Sequence, residues 1–465
     1  MSLRNKIHAH PAPDRSSSQS RSTPPAADSP WGPARIALTA FFAVDGFLFA
    51  AWVVRIPDVR RQVSASHSAL GLALLCLSIG AVLTMPMVGR LCLRYGSRPV
   101  TVGSLALLSL AVLLPAHAHS VATLGAALLL FGAGYGGANV AMNSAAVDLV
   151  AQLRRPVMPS FHAGYSFGGL LGTGVSGLLA GPLSTAWALA LSGLLGLAVT
   201  VGAGVVLLRS PAAPLVAPDR VGRAADGGAA DGSAANGSAA DGSAANGSAA
   251  DGSAADGSQA GRSGADGGSA AGAAVPTGGA RAGRSPARLL VLLLGVTALC
   301  TAYGEGAIAD WTTLHLTDDV HASSAVAATG YGAYAFAMAG GRVGGTWLSI
   351  RLGQTRLMLL GGLTAAAGML VAALAPVAPL AICGFVLVGL GLANLFPLAI
   401  ARAGEAGGPQ GVALASSLGY GGMLIGPVVI GFLADAAGLP LALTTVAVAA
   451  TAAALLPLSV GRRFR

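Results

Sequence analysis

Twelve long apolar stretches recur along the chain, and they limit its fold more than any other feature of the sequence. Most contain about 18 to 25 residues, the length that a helix needs to cross a hydrocarbon core of about 30 Å. The chain is 54% hydrophobic and only 10% charged, whereas soluble proteins contain about 25% charged residues. We therefore predict an all-α membrane protein with twelve transmembrane helices, near residues 34–54, 70–89, 99–116, 121–147, 163–181, 184–208, 289–309, 322–341, 357–374, 379–401, 412–434 and 439–460.

Two polar segments divide these stretches into two sets of six. Residues 1–33 are rich in serine and proline and predict a disordered cytoplasmic tail. Residues 210–286 contain a five-residue repeat, AADGS or AANGS, and the glycine in every unit disfavours a helix, so we predict a disordered tether. The predicted domains are thus two six-helix halves at 34–209 and 287–460, followed by a basic cytoplasmic tail at 461–465.

The placement of arginine and lysine predicts how the helices are oriented. These residues lie before the first stretch, after the even-numbered stretches and at the C-terminal end, whereas the opposite connections hold only Arg55, Arg60 and Arg61. By the positive-inside rule, both termini and the tether are cytoplasmic. Arg55 is expected to reach the outer rim by extending its side chain out of the apolar layer, with contact to an anionic solute as the less favoured alternative.

The first and seventh stretches each carry a carboxylate at mid-depth. Asp45 is followed by glycine and then, seven residues after the acid, by Trp52; Glu305 is followed by glycine and, six residues after the acid, by Trp311. An acid at the centre of a membrane helix costs about 2.5 to 3.5 kcal/mol on insertion scales, so chance rarely leaves one there. The matching layout indicates two related halves.

Further patterns repeat at the same offset of about 255 to 260 residues. The motif G-x-G-x-A-N occupies 134–139 and 389–394, and a Gly-Tyr pair occupies 164–165 and 419–420. Internal duplication of six-helix units is how many transporters build a solute site between two halves. Glycines that recur every four residues, at 164, 168 and 172, predict flat faces for close helix contact.

The connection after the second stretch carries a family signature, GRLCLRYGSR, and a weaker copy follows the eighth. The residues that match are Gly89, Leu91, Arg94, Gly96 and Arg98 in the first copy, and Arg342, Arg351 and Gly353 in the second. With these motifs the chain resembles the major facilitator superfamily of secondary transporters. AAWVVRIPDVR and GEGAIADW also resemble an uncharacterised bacterial inner-membrane branch near the fucose-permease-like symporters. Leu93 and Ile350 stand where the signature has an acid.

The resemblance implies a twelve-helix fold and a central cavity lined by the first, fourth, seventh and tenth helices. It also implies that the signature residues form a conformational latch. Asp45 and Glu305 are the candidates for proton coupling, because removal from water favours a neutral carboxyl group. The alternatives are that either acid pairs with an arginine or caps a helix kink. Asp310 fits a position at the membrane–water interface as well as a position in a functional site.

Several polar side chains are candidates for binding a solute. Trp52 could stack on a sugar ring or belong to the aromatic belt. Asn139, Asn143 and Asn394 must each hydrogen-bond either a neighbouring helix or a solute. His162 could relay protons or make a structural hydrogen bond near the cytoplasmic end. The set of predicted binding residues is completed by Tyr165 and Tyr420 in the fifth and eleventh stretches.

The remaining patterns exclude several function classes. No catalytic motif, metal-ligand spacing or cofactor motif is present, and the arginines form no basic helix with stacking residues for nucleic acid. We therefore predict a monomeric secondary transporter that takes up a small polar solute, such as a sugar, with protons. Proton-driven efflux of a drug or metabolite is the alternative, and a non-transporting sensor or scaffold is a more remote one. The fifth stretch lacks the proline of the signature that drug exporters of this superfamily carry, which favours uptake.

Overall fold

The computed structural model describes residues 32–153, 157–210 and 286–461. The predicted N-terminal tail, tether and basic C-terminal tail lie outside the described residues, apart from one or two residues at their edges. The helices belong to one compact unit that begins at Pro33.

Within these ranges the structure consists of helices and turns, with no strand. The helices are α1 (Pro33–Gln62), α2 (His67–Tyr95), α3 (Ser97–Ala111), a 3₁₀ turn (Leu114–His117), α4 (Val121–Leu153), α5 (Met158–Leu178), α6 (Thr185–Arg209), α7 (Pro286–Asp318), α8 (Ser324–Val343), α9 (Gly345–Leu352), α10 (Gln354–Leu374), α11 (Ala378–Leu392), α12 (Leu395–Ala437) and α13 (Leu439–Gly461).

Ten helical segments in the described part of the chain are long and apolar enough to cross a membrane. They coincide with ten of the twelve predicted spans. Helices α5 and α8 have 21 and 20 residues and occupy the positions of the other two, but they are less apolar. Both helices contain glycines, which lower the hydropathy of a helix but allow close packing. The glycines lie where α5 and α8 contact each other: a Cβ on Gly177 would lie 2.7 Å from Ala328, and one on Gly332 would lie 3.1 Å from Thr173.

The predicted tenth and eleventh spans are divided differently in the structure. The tenth is built from α11 and the first arm of α12, with a break in the helix at Ala393 and Asn394. The arms of α12 meet at Gly408, whose φ of 59° and ψ of −150° are not helical. Glycine is suited to this position because it lacks the Cβ that makes positive φ costly.

Glycine contacts bring the helices of each half into close packing, as the spacing predicted. A Cβ on Gly168 of α5 would lie 1.9 Å from the carbonyl oxygen of Ala43 in α1, and a Cβ on Gly422 of α12 would lie 2.2 Å from that of Leu299 in α7. The two contacts occupy equivalent places in the two halves. The repeat in the sequence is therefore a repeat in the packing.

The two halves meet at the end of the bundle that carries the α1–α2 and α7–α8 turns, which we call the closed end. Arg60 of α1 pairs with Asp318 of α7, and the Thr313 hydroxyl donates to the carbonyl of Val53 at 3.0 Å. All residues from Ala50 to Pro57 and from Trp311 to Leu316 are buried. Helices α1 and α7 are therefore sealed from both water and lipid at this end.

The Asp435 carboxylate of α12 also joins the halves at the closed end. It accepts hydrogen bonds from the backbone N–H groups of His67 at 2.8 Å and of Ser68 at 2.9 Å, at the start of α2. The Nδ1 atom of His67 lies 3.1 Å from the same carboxylate. An acid of one half thus occupies the helix N-terminus of the other, where free N–H groups favour negative charge.

Candidate functional site

Two acids in the middle of α7 are accessible although the helix around them is not. Between residues 301 and 316 every residue is buried except Glu305 and Asp310, which are half-buried. Because protein surrounds this part of α7 on all sides, both acids open onto a space inside the bundle rather than onto lipid. We call this space the central cavity, and define it by Glu305, Asp310, Tyr331, Arg342 and Tyr165.

Glu305 is paired with an arginine from the neighbouring helix. Its Oε2 lies 3.5 Å from Nη2 of Arg342 in α8, and the two side chains are 24% and 33% exposed. The Nε of Arg342 donates to the carbonyl of Ala393 at 3.3 Å. That carbonyl is free because the helix breaks there, so the interruption of the tenth span holds the guanidinium beside Glu305.

Asp45 has a different environment from its counterpart. Its side chain is fully buried, with 0% exposure, and neither carboxylate oxygen has a hydrogen-bond partner. The adjacent Gly46 lies against α5, where a Cβ would come within 2.1 Å of the carbonyl oxygen of Tyr165. An ionised carboxylate in such a place carries a large desolvation cost, whereas a neutral carboxyl group does not.

Tyrosines from both halves lie near these acids. The hydroxyls of Tyr135 in α4 and Tyr165 in α5 are 3.1 Å apart, and Tyr165 lies within electrostatic reach of both Asp45 and Arg342. In α8, the rings of Tyr331 and Tyr334 are 6.1 Å apart. Tyr165 and Tyr331 are half-buried, whereas Tyr135 and Tyr334 are buried, so the first two are the tyrosines that can face the central cavity.

His162 lies four residues after the first residue of α5. Its ring packs edge-on against Phe42, with centroids 5.3 Å apart, and it lies within electrostatic reach of Arg342. The predicted binding residue Tyr420 is half-buried in the second arm of α12. His162 is half-buried as well, and a role of either residue in solute binding stays a prediction.

The asparagines of the repeated motif have different roles in the two halves. In α4, Nδ2 of Asn143 donates to the backbone carbonyl of Asn139 at 2.8 Å and lies 3.2 Å from its side-chain oxygen. Asn394, at the helix break, donates from Nδ2 to the carbonyl of Gly341 in α8 at 2.9 Å. This contact favours the neighbouring-helix alternative for Asn394, and a role in solute binding stays a prediction.

The predicted aromatic and basic residues of α1 lie deeper than expected. Trp52 is 1% exposed, and its ring lies 6.2 Å from that of Phe131 in α4, so in this conformation it faces neither the aromatic belt nor the central cavity. The expectation that Arg55 reaches the outer rim is wrong. Arg55 is 1% exposed and pairs with Asp58 at 3.1 Å, because the closed end covers it.

The latch residues lie at the end opposite to the closed end. Gly96 and Gly353 end α2 and α9 with φ of 90° and 76°, and their N–H groups donate to the carbonyls of Cys92 and Ser349. These positive φ values explain why the signature needs glycine there. Gly89 is different, because a Cβ at its position would meet no atom of the described residues within 4 Å.

The latch arginines make different contacts. Arg94 and Arg351 stack on their neighbours Tyr95 and Trp347 at 5.2 and 4.9 Å, and Arg98 donates to the carbonyl of Ser210 at 2.7 Å. Arg342, which the signature groups with them, instead faces Glu305. A latch function of these residues stays a prediction.

Sequence reasoning identifies only part of the site. It places Arg342 in the latch alone, gives Asp310 two equal interpretations, and does not single out Tyr135, Tyr331 and Tyr334. One signal is available: Arg342 is a cation directly after an apolar stretch that is otherwise uncharged. The tyrosines give no such signal, because an aromatic residue in a membrane helix is equally consistent with packing.

Comparison with known proteins identifies the family. A profile described as Major Facilitator Superfamily matches residues 36–226. An uncharacterised MFS-type transporter of Yersinia pestis is 32% identical over 412 residues, covering 88% of this chain and 90% of that protein. An uncharacterised transporter of Sinorhizobium fredii is 30% identical over 426 residues, covering 90% and 96%. Membrane protein MosC of Rhizobium meliloti is 27% identical over 406 residues, covering 86% and 84%.

Solved structures share the fold at low sequence identity. A bacterial homologue of the human lysosomal transporter Spinster, in an inward-facing and unoccupied conformation, gives a TM-score of 0.64 at 14% identity, covering 92% of this chain and 96% of that one. The nucleoside transporter NupG gives 0.61 at 12% identity, covering 92% and 98%. The chain therefore belongs to the major facilitator superfamily, and it is a multi-pass membrane transporter rather than an enzyme.

Proposed function

We propose that this transporter takes up a small polar solute, such as a sugar, together with protons across a bacterial inner membrane. The observation that carries the proposal is Asp45, a fully buried carboxyl group without a hydrogen-bond partner in the middle of α1. A group that is stable there only when neutral holds a proton in this conformation. If α1 gains water access when the halves rearrange, the same group can release it.

Glu305 supplies a second and chemically different step. Its ion pair with Arg342 is long, at 3.5 Å, and partly accessible, so a solute or a proton can compete with it. Protonation of Glu305 removes the negative charge that holds the guanidinium, which frees Arg342 to donate to hydroxyl groups of a solute. The proton and the solute are then linked through one side chain.

The contacts at the closed end support an assignment of this conformation to one stage of the transport cycle. With the orientation that the arginines predict, the closed end faces outward and both termini are cytoplasmic. The conformation is then inward-facing, and the central cavity receives solute from the outside only after the closed-end contacts break. We take the chain to work as a monomer, because each half supplies side chains to the cavity.

Uptake of labelled solute tests this proposal. Purified protein is first screened against sugars, amino acids and cationic drugs for a rise in melting temperature, since a ligand stabilises the folded state by mass action. A stabilising solute is then offered to proteoliposomes that have an acidic outside or an acidic inside. We expect accumulation only with the acidic outside and loss of accumulation with a proton ionophore.

Two outcomes would contradict the proposal. Accumulation that does not depend on the pH gradient would exclude proton coupling. Expulsion of the solute against its gradient would replace uptake by proton-driven efflux, the alternative that the sequence leaves open.

A further inference from the structure

His315 is a buried histidine that has a hydrogen-bond acceptor beside each of its two ring nitrogens. It lies in the last turn of α7 and is 1% exposed. Its Nδ1 lies 2.9 Å from a carboxylate oxygen of Asp319, and its Nε2 lies 3.1 Å from the backbone carbonyl oxygen of Ala372 in α10. A neutral imidazole has one N–H donor and one acceptor nitrogen. Both contacts are therefore hydrogen bonds only when the His315–Asp319 pair holds one further proton.

The carbonyl of Ala372 is available because α10 ends beside it. The helix ends at Leu374, and the residue four positions after Ala372, whose N–H group would bond this carbonyl in a longer helix, is Pro376. Proline has no backbone N–H, so the carbonyl lacks its helical partner. His315 thus lies at the C-terminal ends of both α7 and α10, where free carbonyl groups favour a positive charge.

The first half carries a permanent cation at the equivalent position. Arg55 precedes His315 by 260 residues, the same offset that separates the two mid-depth acids of α1 and α7. Arg55 is also 1% exposed, and it pairs with Asp58 one turn further along α1. This parallel favours a proton on the imidazole rather than on Asp319. The Asp319 side chain is 31% exposed, so it stays in contact with water as a carboxylate.

The other charged groups around α7 leave His315 with Asp319 as its acidic partner. Helices α11 and α13 contain no Asp, Glu, Lys, Arg or His, and the arginines of α8 and α10 lie toward the end of the bundle opposite to the closed end. The histidine in the turn that follows α7, His321, is exposed. The remaining charged side chains described at the closed end have partners of their own: Arg55 and Arg61 contact Asp58, Arg60 contacts Asp318, and His67 contacts Asp435.

We propose that His315, Asp319 and the carbonyl of Ala372 form a proton-binding site at the closed end, and that its proton is structural rather than transported. All three groups belong to the second half, as does Phe385 of α11, whose ring lies edge-on to the imidazole with centroids 6.5 Å apart. These contacts need not break when the two halves separate. The site is distinct from Asp45 and Glu305 and does not depend on the proposed coupling.

Loss of this proton removes the hydrogen bond between α7 and α10. A neutral ring keeps the N–H group that faces the carboxylate and turns a lone pair toward the carbonyl of Ala372. Because the ring is buried, water does not replace the lost partner. The stabilisation is therefore present at low pH, where the ring is doubly protonated, and is lost as the pH rises. With the predicted orientation, the exposed edge of Asp319 takes up this proton from the outside.

Nitrogen NMR of the full-length protein, labelled with isotopic histidine, tests the site directly. The signals of His315 are assigned by their absence from His315→Gln. We expect both ring nitrogens of His315 to show the chemical shifts of N–H groups at a pH at which His119 and His321, which are exposed, have lost their second proton. A His315 ring that loses its second proton together with those two histidines would overturn the inference.

Two variants identify the groups that hold the proton. Asp319→Asn keeps the size of the side chain and should weaken proton binding at His315 roughly tenfold or more, because a nearby negative charge favours the charged ring. His321→Asn is the matched control in the same turn, since asparagine tolerates the φ of 54° at this position, and it should leave proton binding unchanged. Unchanged proton binding in Asp319→Asn would also overturn the inference.

Melting temperature and transport separate a structural proton from a transported one. The melting temperature of the unchanged protein should fall as the pH rises through the point at which His315 loses its second proton, and Asp319→Asn should show this fall at lower pH. His315→Gln, which stays neutral, should lack it. A melting temperature that does not follow the proton would refute a structural role. Asp319→Asn should still accumulate solute under a pH gradient, and loss of accumulation in this variant alone would place the proton on the transport path and contradict the inference.

Discussion

Removal of the Asp435 carboxylate should open the closed end. The carboxylate accepts two backbone N–H groups of α2, at 2.8 and 2.9 Å, across the boundary between the halves. Hydrogen bonds to a charged group contribute about 1.5 to 3 kcal/mol when they are buried. The Asp435 side chain is 33% exposed, so we take the lower end and discount it further for solvent, which leaves about 2 kcal/mol for both bonds.

The expected population change follows from that free energy. Because these bonds form only when the halves meet at this end, Asp435→Ala should raise the ratio of open to closed molecules by roughly thirtyfold. Asp435→Asn retains one acceptor oxygen and should have a smaller effect. The acid at this position thus stabilises one conformation, and it contributes little to the folding of either half.

Distances between spin labels across the closed end would measure the change. His119 and Val377 are exposed in the connections α3–α4 and α10–α11, so cysteines there report on one half each, in a background without the four native cysteines. The matched control is Asp319→Asn, because Asp319 directly follows α7 and its carboxylate contacts His315 of that helix, within one half. If Asp435→Ala gives the same distance distribution as the unchanged protein or as the control, the carboxylate does not hold the halves together.

Three further predictions concern packing, the tether and orientation. Gly168→Ala should lower the melting temperature, since its Cβ would meet the backbone of Ala43 at 1.9 Å and overpacking costs about 1 to 3 kcal/mol; Gly174→Ala in the same helix, with open space around it, should not. Deletion of residues 224–258 should leave membrane insertion and transport nearly unchanged, and a folding defect would assign the repeats a structural role. Reporter fusions within the tether and at the C-terminus should report a cytoplasmic location, and a fusion at Asp319 should report the outside. The opposite location at any of these sites would contradict the predicted orientation.

The fold could be predicted because lipid imposes a simple rule on sequence. A spanning helix needs a long run of apolar residues, and ten such helices coincide with predicted spans. The glycines were also informative, since Gly96 and Gly353 adopt positive φ and Gly168 touches another backbone. Helices α5 and α8 are less apolar because much of their surface faces other helices, so hydropathy alone describes them less well.

The partners of the acids could not be predicted in the same way. Glu305 and Arg342 are 37 residues apart, and their contact depends on a carbonyl freed by a helix break in a third segment. The motif G-x-G-x-A-N is identical in both halves, yet only its second copy is broken. The position of Arg55 near the end of an apolar run predicts a place at the rim, but α1 continues to Gln62 and the side chain is buried beside Asp58.

Asp45 and Glu305 are proposed to carry the coupling protons, and neutral variants test that role most directly. Proteoliposomes with Asp45→Asn, Glu305→Gln or the control Glu405→Gln would be assayed for exchange of labelled solute and for accumulation under an imposed pH gradient. We predict that Asp45→Asn and Glu305→Gln each exchange solute but no longer concentrate it, whereas the control does both. Proton-driven accumulation that survives in both Asp45→Asn and Glu305→Gln would contradict a coupling role for these acids.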